Sequence, residues 1–303
     1  MNQVNRPERL TASVETQPAP FQRILACTDF SATTDKILRF AGAVSKLCSA
    51  KLLILHVNAS GAIPDTSGGT NEYVESLKRD VEDRFEEAVD SVRKMGVDAQ
   101  GVMAEGDAGS VILRAIRNEG FDLAVVGTRG AMGLERFLFG STAEMILRSA
   151  ACPVMTVGPG IRRDLTIPDC GPVIFATDFH KPATAAAQCA IELAKLYGVP
   201  LDCVHVLPTT LNHDADGEVI TEIMTRAFRQ LIQKTEPSGV ESSFHIAFGD
   251  EVSTAVLAYA IGQGAQAIVL GARRANPLAN HLPHQIVHQI ALGSPCPVIT
   301  CLV

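Results

Sequence analysis

The chain reads as one domain written twice. Cys-Thr-Asp-Phe-Ser at 27–31 returns as Ala-Thr-Asp-Phe-His at 176–180, which sets Asp29 and Asp178 149 residues apart. His56-Val57 returns as His205-Val206 at the same separation. Glu105-Gly106-Asp107 returns as Phe248-Gly249-Asp250, 143 residues on, and Gly127 returns as Gly271, 144 on. Cys-Pro-Val-Met-Thr-Val at 152–157 returns as Cys-Pro-Val-Ile-Thr-Cys at 296–301. Five collinear matches across a domain length indicate a duplicated domain, not a short solenoid repeat. Any fold assigned to one half must therefore also suit the other, and 303 residues make two domains of ordinary size, each able to bury a core. The expected division is a disordered tail over 1–20, a first domain over 21–158, a Pro/Gly-rich linker over 159–170 and a second domain over 171–303.

Within the first half, short apolar runs alternate with helical patterns. Ile24–Cys27, Leu52–Val57, Val97–Ala104, Leu123–Val126 and Pro153–Val157 read as five strands. Between them, helices are predicted from about Thr33 to Cys48, Asn71 to Met95, Ser110 to Asn118 and Thr142 to Ser149. Residues 58–70, rich in Gly, Ser and Pro, read as a loop. Strands alternating with helices imply crossovers and a parallel, doubly wound α/β sheet. In such sheets ligands sit at the carboxyl ends of the strands, so the loops after the first, second and fourth strands become the candidates for chemistry.

The richest of these loops is Ala-Val-Val-Gly-Thr-Arg-Gly-Ala-Met-Gly-Leu-Glu-Arg-Phe-Leu-Phe-Gly-Ser-Thr at 124–142. A buried strand stops at Gly127, Gly130 follows after two residues, and Gly140-Ser141 after nine more. Ser141 and Glu144 form a Ser-x-x-Glu capping-box signature, so Ser141 is expected to cap a helix whose first amides face back toward the loop. Glycines let backbone approach a ligand, and a helix N-terminus offers unpaired N–H groups and partial positive charge; phosphate suits both. The stretch has no P-loop Lys and lacks the glycine spacing of a dinucleotide-binding turn.

Gly127, Gly130, Gly140 and Ser141 do fall on the Gly-x2-Gly-x9-Gly-Ser/Thr loop of the ATP-binding branch of the universal stress protein family. With Thr-Asp-Phe-Ser after the first strand and His-Val after the second, the chain resembles a tandem member of that family from about Phe21 to the C-terminus. The resemblance implies two tandem doubly wound five-stranded parallel-sheet domains of the adenine-nucleotide α-hydrolase-like, Rossmann-like kind. It implies ATP, with or without Mg2+, bound in the first domain. Thr28 and Asp29 would line the adenosine part of the pocket and Val57 would face adenine. Gly127, Arg129, Gly130, Gly140, Ser141 and Thr142 would hold the phosphates. Family members dimerise through the last strand, so the two halves are expected to pair through 152–157 and 296–301 as an internal pseudo-dimer, leaving room for a further homodimer.

Several of these residues also have plain structural readings. Asp29 could accept a ribose hydroxyl or serve the start of the next helix. Val57 could equally be a core valine, and Arg129 could meet phosphate or point to water. His56 alternates with core residues and reads as a packed histidine. Phe137–Phe139 would pack the distal half of the loop down. In the second half, adding 144 to Gly130, Gly133, Gly140 and Ser141 gives Arg274, Pro277, His284 and Gln285. Side chains now stand where backbone had to approach phosphate, so this half is read as a degenerate domain without ATP. His281, His284 and His288 gather there, but two or three histidines without carboxylates make a poor zinc site.

The remaining bulk properties exclude more than they assign. A net charge of −7 without a basic block argues against nucleic acid. No apolar run approaches the roughly 18 residues of a membrane span, and the polar first twenty residues do not read as a signal peptide. The 8 cysteines contain no C-x-x-C pair, which suggests a reducing cytoplasm and neither a disulfide framework nor a structural zinc. The reading is a cytoplasmic, non-enzymatic ATP-binding stress-response or signalling protein in which nucleotide acts as a regulator. The alternatives are an adenine-nucleotide-using enzyme with slow ATPase activity and a scaffold that binds no nucleotide.

Overall fold

A strand that alternates in side-chain direction and is apolar throughout must be covered on both faces. That is the situation of the inner strands at Leu123–Gly127, Val173–Ala176 and Ala267–Ala272. The computed structural model describes residues 19–58, 71–128, 139–161, 171–179, 183–211, 215–235, 239–272 and 282–302. The first half runs β1 (Arg23–Thr28), α1 (Thr34–Cys48), β2 (Lys51–Asn58), α2 (Asn71–Arg93), β3 (Ala99–Glu105), α3 (Ala108–Glu119), β4 (Leu123–Gly127), α4 (Ser141–Ser149) and β5 (Val154–Val157). The second half runs β6 (Val173–Ala176), α5 (Ala183–Tyr197), β7 (Leu201–Leu207), α6 (Ala215–Thr235), β8 (Ser242–Phe248), α7 (Val252–Gln263), β9 (Ala267–Ala272), α8 (Leu282–Gly293) and β10 (Val298–Leu302). Element ends differ from the sequence expectation by a residue or two, the usual extent of fraying at caps.

Each half has the strand order 3-2-1-4-5, with parallel neighbours throughout. The last strands of the two halves pair, as 152–157 and 296–301 were expected to, and so join the two five-stranded sheets into one ten-stranded sheet, ordered β3-β2-β1-β4-β5-β10-β9-β6-β7-β8. The joint is antiparallel: Val298 opposes Thr156, Ile299 opposes Met155 and Thr300 opposes Val154. Both C-terminal strands thereby lose their free edges, which would otherwise template aggregation.

Ile24 and Ala26 of β1 face a core closed by α1, α2, α5 and α6, while Leu25 faces the opposite core under α3, α4, α7 and α8. One helix layer therefore follows the first and second strands of each half, and the other follows the third and fourth. Helices α3 and α7 stop where a left-handed residue lets the chain turn back. Gly120 (φ 66°) ends α3 and Gly264 (φ 60°), its counterpart 144 residues later, ends α7.

The repeated Thr-Asp-Phe and His-Val motifs have a shared structural explanation. Phe30 (φ 56°) and Phe179 (φ 61°) both sit in the left-handed region, which strains a bulky residue. Phe30 N–H donates to Thr28 Oγ1 at 3.2 Å, and Phe179 N–H donates to Thr177 Oγ1 at 3.0 Å. Each ring then packs on a histidine, with centroids 4.4 Å apart for Phe30–His56 and 5.3 Å for Phe179–His205. His56 Nδ1 donates to Thr28 O at 2.9 Å and His205 Nδ1 to Thr177 O at 2.8 Å. The histidine locks the strand end that carries the strained turn.

Candidate functional site

The order β2-β1-β4 places a switch in the direction of strand addition between the parallel strands β1 and β4, with α1 on one face and α3 and α4 on the other. Such a switch point opens a crevice at the carboxyl ends of its strands. A cleft of about 270 Å3 lies there. Thr28 and Asp29 from the end of β1, Val57 from β2, Gly127 from β4 and Gly140, Ser141 and Thr142 at the start of α4 all line it. Every described residue expected in the site is thus brought to one cleft. Arg129 and Gly130 lie outside the described residues.

The end of the cleft at Gly127 and Gly140–Thr142 is built by backbone. Gly140 N–H donates to Thr128 O at 2.9 Å, and Thr128 N–H donates to Val157 O at 3.2 Å. The first bond closes the base of the loop, and the second ties that base to β5. Helix α4 then begins, with Glu144 N–H donating to Gly140 O at 2.9 Å. Ser141, Thr142 and Ala143 precede that first helical bond, so their amides belong to the turn that a helix leaves without internal acceptors.

The capping-box expectation fails here. Gly140, with φ −68° and ψ 139°, is the N-cap and Ser141 is the first helical residue. Glu144 does not reach back; its Oε1 accepts from Arg148 Nη2 at 2.6 Å, one turn on. The physical reason is that the Gly140 carbonyl already captures Glu144 N–H, which moves the cap one residue earlier. Ser141 is left exposed on the cleft lining. The φ of Gly140 also lies in a region open to any residue, so a glycine is not required there for backbone conformation.

The end of the cleft at Thr28, Asp29 and Val57 is more committed than the sequence suggests. Thr28 is buried, and its hydroxyl accepts Phe30 N–H and lies 3.0 Å from Thr34 Oγ1. Its hydroxyl is therefore occupied within the fold, and what it offers the cleft is shape. Asp29 Oδ1 accepts Ser31 N–H at 2.9 Å in a local turn that fixes the carboxylate at the rim. Val57 is half-buried at the cleft wall, next to the locked His56.

Sequence reasoning missed the other walls. Ala108 and Ile112 bring the N-terminal turn of α3, and Ala143 and Ile146 bring α4. Asp107 caps α3 by accepting Ser110 N–H at 2.9 Å, and hydrogen bonds first from the Ser110 side chain and then from that N–H hold its carboxyl below the usual value. The Glu-Gly-Asp repeat was the available signal, since it marks where β3 ends and α3 begins. Cys27 also lines the cleft; burial, with Cys152 beside it, pushes its thiol up to about 12. A thiol held neutral packs as an apolar wall. Phe139 was expected to pack the loop down, and its place in the cleft wall was not foreseen. It lines the cleft and stacks on His288 of α8, with centroids 4.4 Å apart and planes 9° apart.

Among the described residues, no helix is long and apolar enough to cross a membrane, and no group of three or more His, Cys, Asp or Glu side chains converges as a metal site. His281 lies outside the described residues, and nothing is described of the His284 side chain. Cys170 likewise lies outside them; the other seven cysteines are free thiols.

Comparison with known proteins agrees with the duplication. The family model described as "Universal stress protein family" matches residues 20–158 and again 171–301. The universal stress protein YxiE of Bacillus subtilis is 29% identical over 147 residues, 45% of this chain and 99% of that protein. The universal stress protein MJ0531 of Methanocaldococcus jannaschii is 30% identical over 142 residues, 45% of this chain and 82% of that protein. Among solved structures, a universal stress protein from Archaeoglobus fulgidus overlays 92% of this chain on 98% of its own with a TM-score of 0.70 at 23% identity, a likeness of fold. Two matches of the family model in one chain, on halves that repeat each other and share one strand order, make this protein a tandem member of the universal stress protein family.

Proposed function

We propose that the first half binds one adenine nucleotide, ATP, as a regulatory ligand in a stress-response or signalling role, and that the second half binds none. The observation that carries this reading is the convergence of the α4 N-terminus, Gly127, Asp29 and Val57 on a single cleft at the switch point of the sheet. The cleft is apolar along Leu55, Val57, Ile112 and Ile146, which suits a purine, and polar at the Gly140–Thr142 amides, which suits phosphate. Asp29 at the rim suits a ribose hydroxyl. A Mg2+ ion accompanying ATP would be held chiefly by phosphate oxygens, as this ion commonly is.

In the sequence of the second half, Arg274, Pro277 and His284 stand where the first half has Gly130, Gly133 and Gly140, and these residue types do not suit close approach of backbone to phosphate. Bound nucleotide would act by its presence, in a protein of the cytoplasm, and be turned over slowly if at all. The test is to denature the purified chain and identify released nucleotide by chromatography and intact mass, then titrate the emptied chain with ATP by calorimetry. Saturable binding with one ATP per chain is expected. Absence of ATP binding, or two equivalent sites, would overturn the proposal.

A further inference from the structure

Resting on the nucleotide reading above, we infer that the site of the first half is completed by the second: His288 is a positioning residue. It holds Phe139, and through it the Gly140–Thr142 amides, where phosphate is received. Phe139 is the residue immediately before the α4 N-cap, and its ring both lines the cleft and lies flat on the His288 imidazole, 4.4 Å away and 9° from parallel. The two rings come from different halves, 149 positions apart.

The base of the same loop also abuts α8. A Cβ placed on Gly158 would lie 2.8 Å from Ala291 O and 3.7 Å from Thr128 Oγ1. Gly158 follows Val157, whose carbonyl receives Thr128 N–H. Helix α8 therefore presses on the strand end where the loop starts, through Gly158, and on the residue where it ends, through His288.

The arrangement has no mirror image. By the 144-residue offset, the counterpart of Phe139 is Pro283 and that of His288 is Glu144, which is bound to Arg148 on its own helix. The stack therefore serves one half only, the one whose glycine loop is intact. A loop whose last residue is pinned against a second domain loses less freedom when phosphate binds. By linkage, nucleotide must strengthen the hold of the loop on α8 by the same factor that α8 strengthens nucleotide binding.

The test compares ATP and adenosine affinities of the full chain as the unaltered protein, His288→Ala, His288→Phe, Phe139→Leu and the Phe139→Leu/His288→Ala double variant. Loss of one aromatic pair should weaken ATP about two- to tenfold in His288→Ala. Adenosine, which makes no phosphate contact, should be unaffected. His288→Phe should restore ATP affinity, and the double variant should bind no worse than Phe139→Leu alone. Thermal melts report folding; should His288→Ala not fold, His288→Leu takes its place in the cycle. Unchanged ATP affinity in His288→Ala, equal losses for ATP and adenosine, or no rescue by His288→Phe would each overturn the inference while leaving the nucleotide reading intact. Failure of the unaltered chain to bind ATP overturns that reading itself.

Discussion

Gly140 donates its N–H to the carbonyl of Thr128 at 2.9 Å, so the two ends of the glycine loop are hydrogen-bonded to each other before any ligand arrives. The loop is closed at its base by the same residue whose carbonyl starts α4. Preorganisation of this kind spares binding part of its ordering penalty.

A side chain at that position should act on the ligand and not on the fold. Gly140 already has a φ that any residue adopts, and α4 needs only its carbonyl. Gly140→Val places a branched Cβ where phosphate would approach the backbone. Loss of two charge-assisted hydrogen bonds removes about 3 kcal/mol or more, roughly a hundredfold in affinity. The expected result is a folded variant, by circular dichroism and melting, with no measurable ATP binding. Calorimetry showing unaltered affinity would mean that the glycine only shapes a turn.

Asp29 should read the sugar. One of its oxygens already accepts Ser31 N–H, so the carboxylate is fixed in direction. Asp29→Ala should weaken ATP and ADP by the same factor, roughly tenfold or more for one hydrogen bond to a charged group. A loss confined to ATP would move Asp29 from the ribose to the γ-phosphate or its metal.

Two buried cysteines predict the alkaline limit of stability. Burial, reinforced by the Asp122 charge, pushes Cys48 up to about 11 and Cys152 up to about 12. In the unfolded chain both thiols ionise near 9, the ordinary value. The folded state therefore keeps protons that the unfolded state releases, and stability falls as pH rises between these values. Below pH 9 this contribution is fully present. It is lost progressively between about 9 and about 12, the span between the ordinary and the raised values. Melting temperature should be flat for these groups from pH 7 to 8.5 and fall above 9, and Cys152→Ala should reduce the slope. An unaltered slope would show that Cys152 is not among the groups responsible.

The strands and the cleft residues at strand ends were legible because each is a local signal: apolar runs of fixed length, punctuating glycines and repeated motifs. The order of the strands within each half was not, since it is set by non-local pairing. The start of α4 was not, because Ser-x-x-Glu at 141–144 satisfies a pattern while the bond that sets the cap, Glu144 N–H to Gly140 O, is a matter of backbone geometry. The engagement of the Thr28 hydroxyl within the fold was hidden for a related reason. Its hydroxyl is taken up by the strained Phe30 turn, and no sequence rule announces a left-handed phenylalanine. The stack of Phe139 on His288 lay furthest from view, since it joins positions in different halves and breaks the internal symmetry on which the sequence argument rested.

The last prediction concerns the joint between the halves. Met155 and Ile299 face each other across the β5–β10 ladder and are both fully buried. Thr156 adds a side-chain bond across it, its Oγ1 donating to Val298 O at 3.1 Å. The core on one side of the sheet runs unbroken from Met155 through Ile299 into both halves, so neither half has a separate interior to unfold. Met155→Ala would open a cavity at the centre of this joint, a change that destabilises by about 2–5 kcal/mol where the surroundings cannot collapse. Calorimetry should show one endotherm for the whole chain, moved to lower temperature as a unit in Met155→Ala. Two endotherms, with Met155→Ala displacing only the one belonging to the first half, would mean that the halves fold independently and merely rest edge to edge.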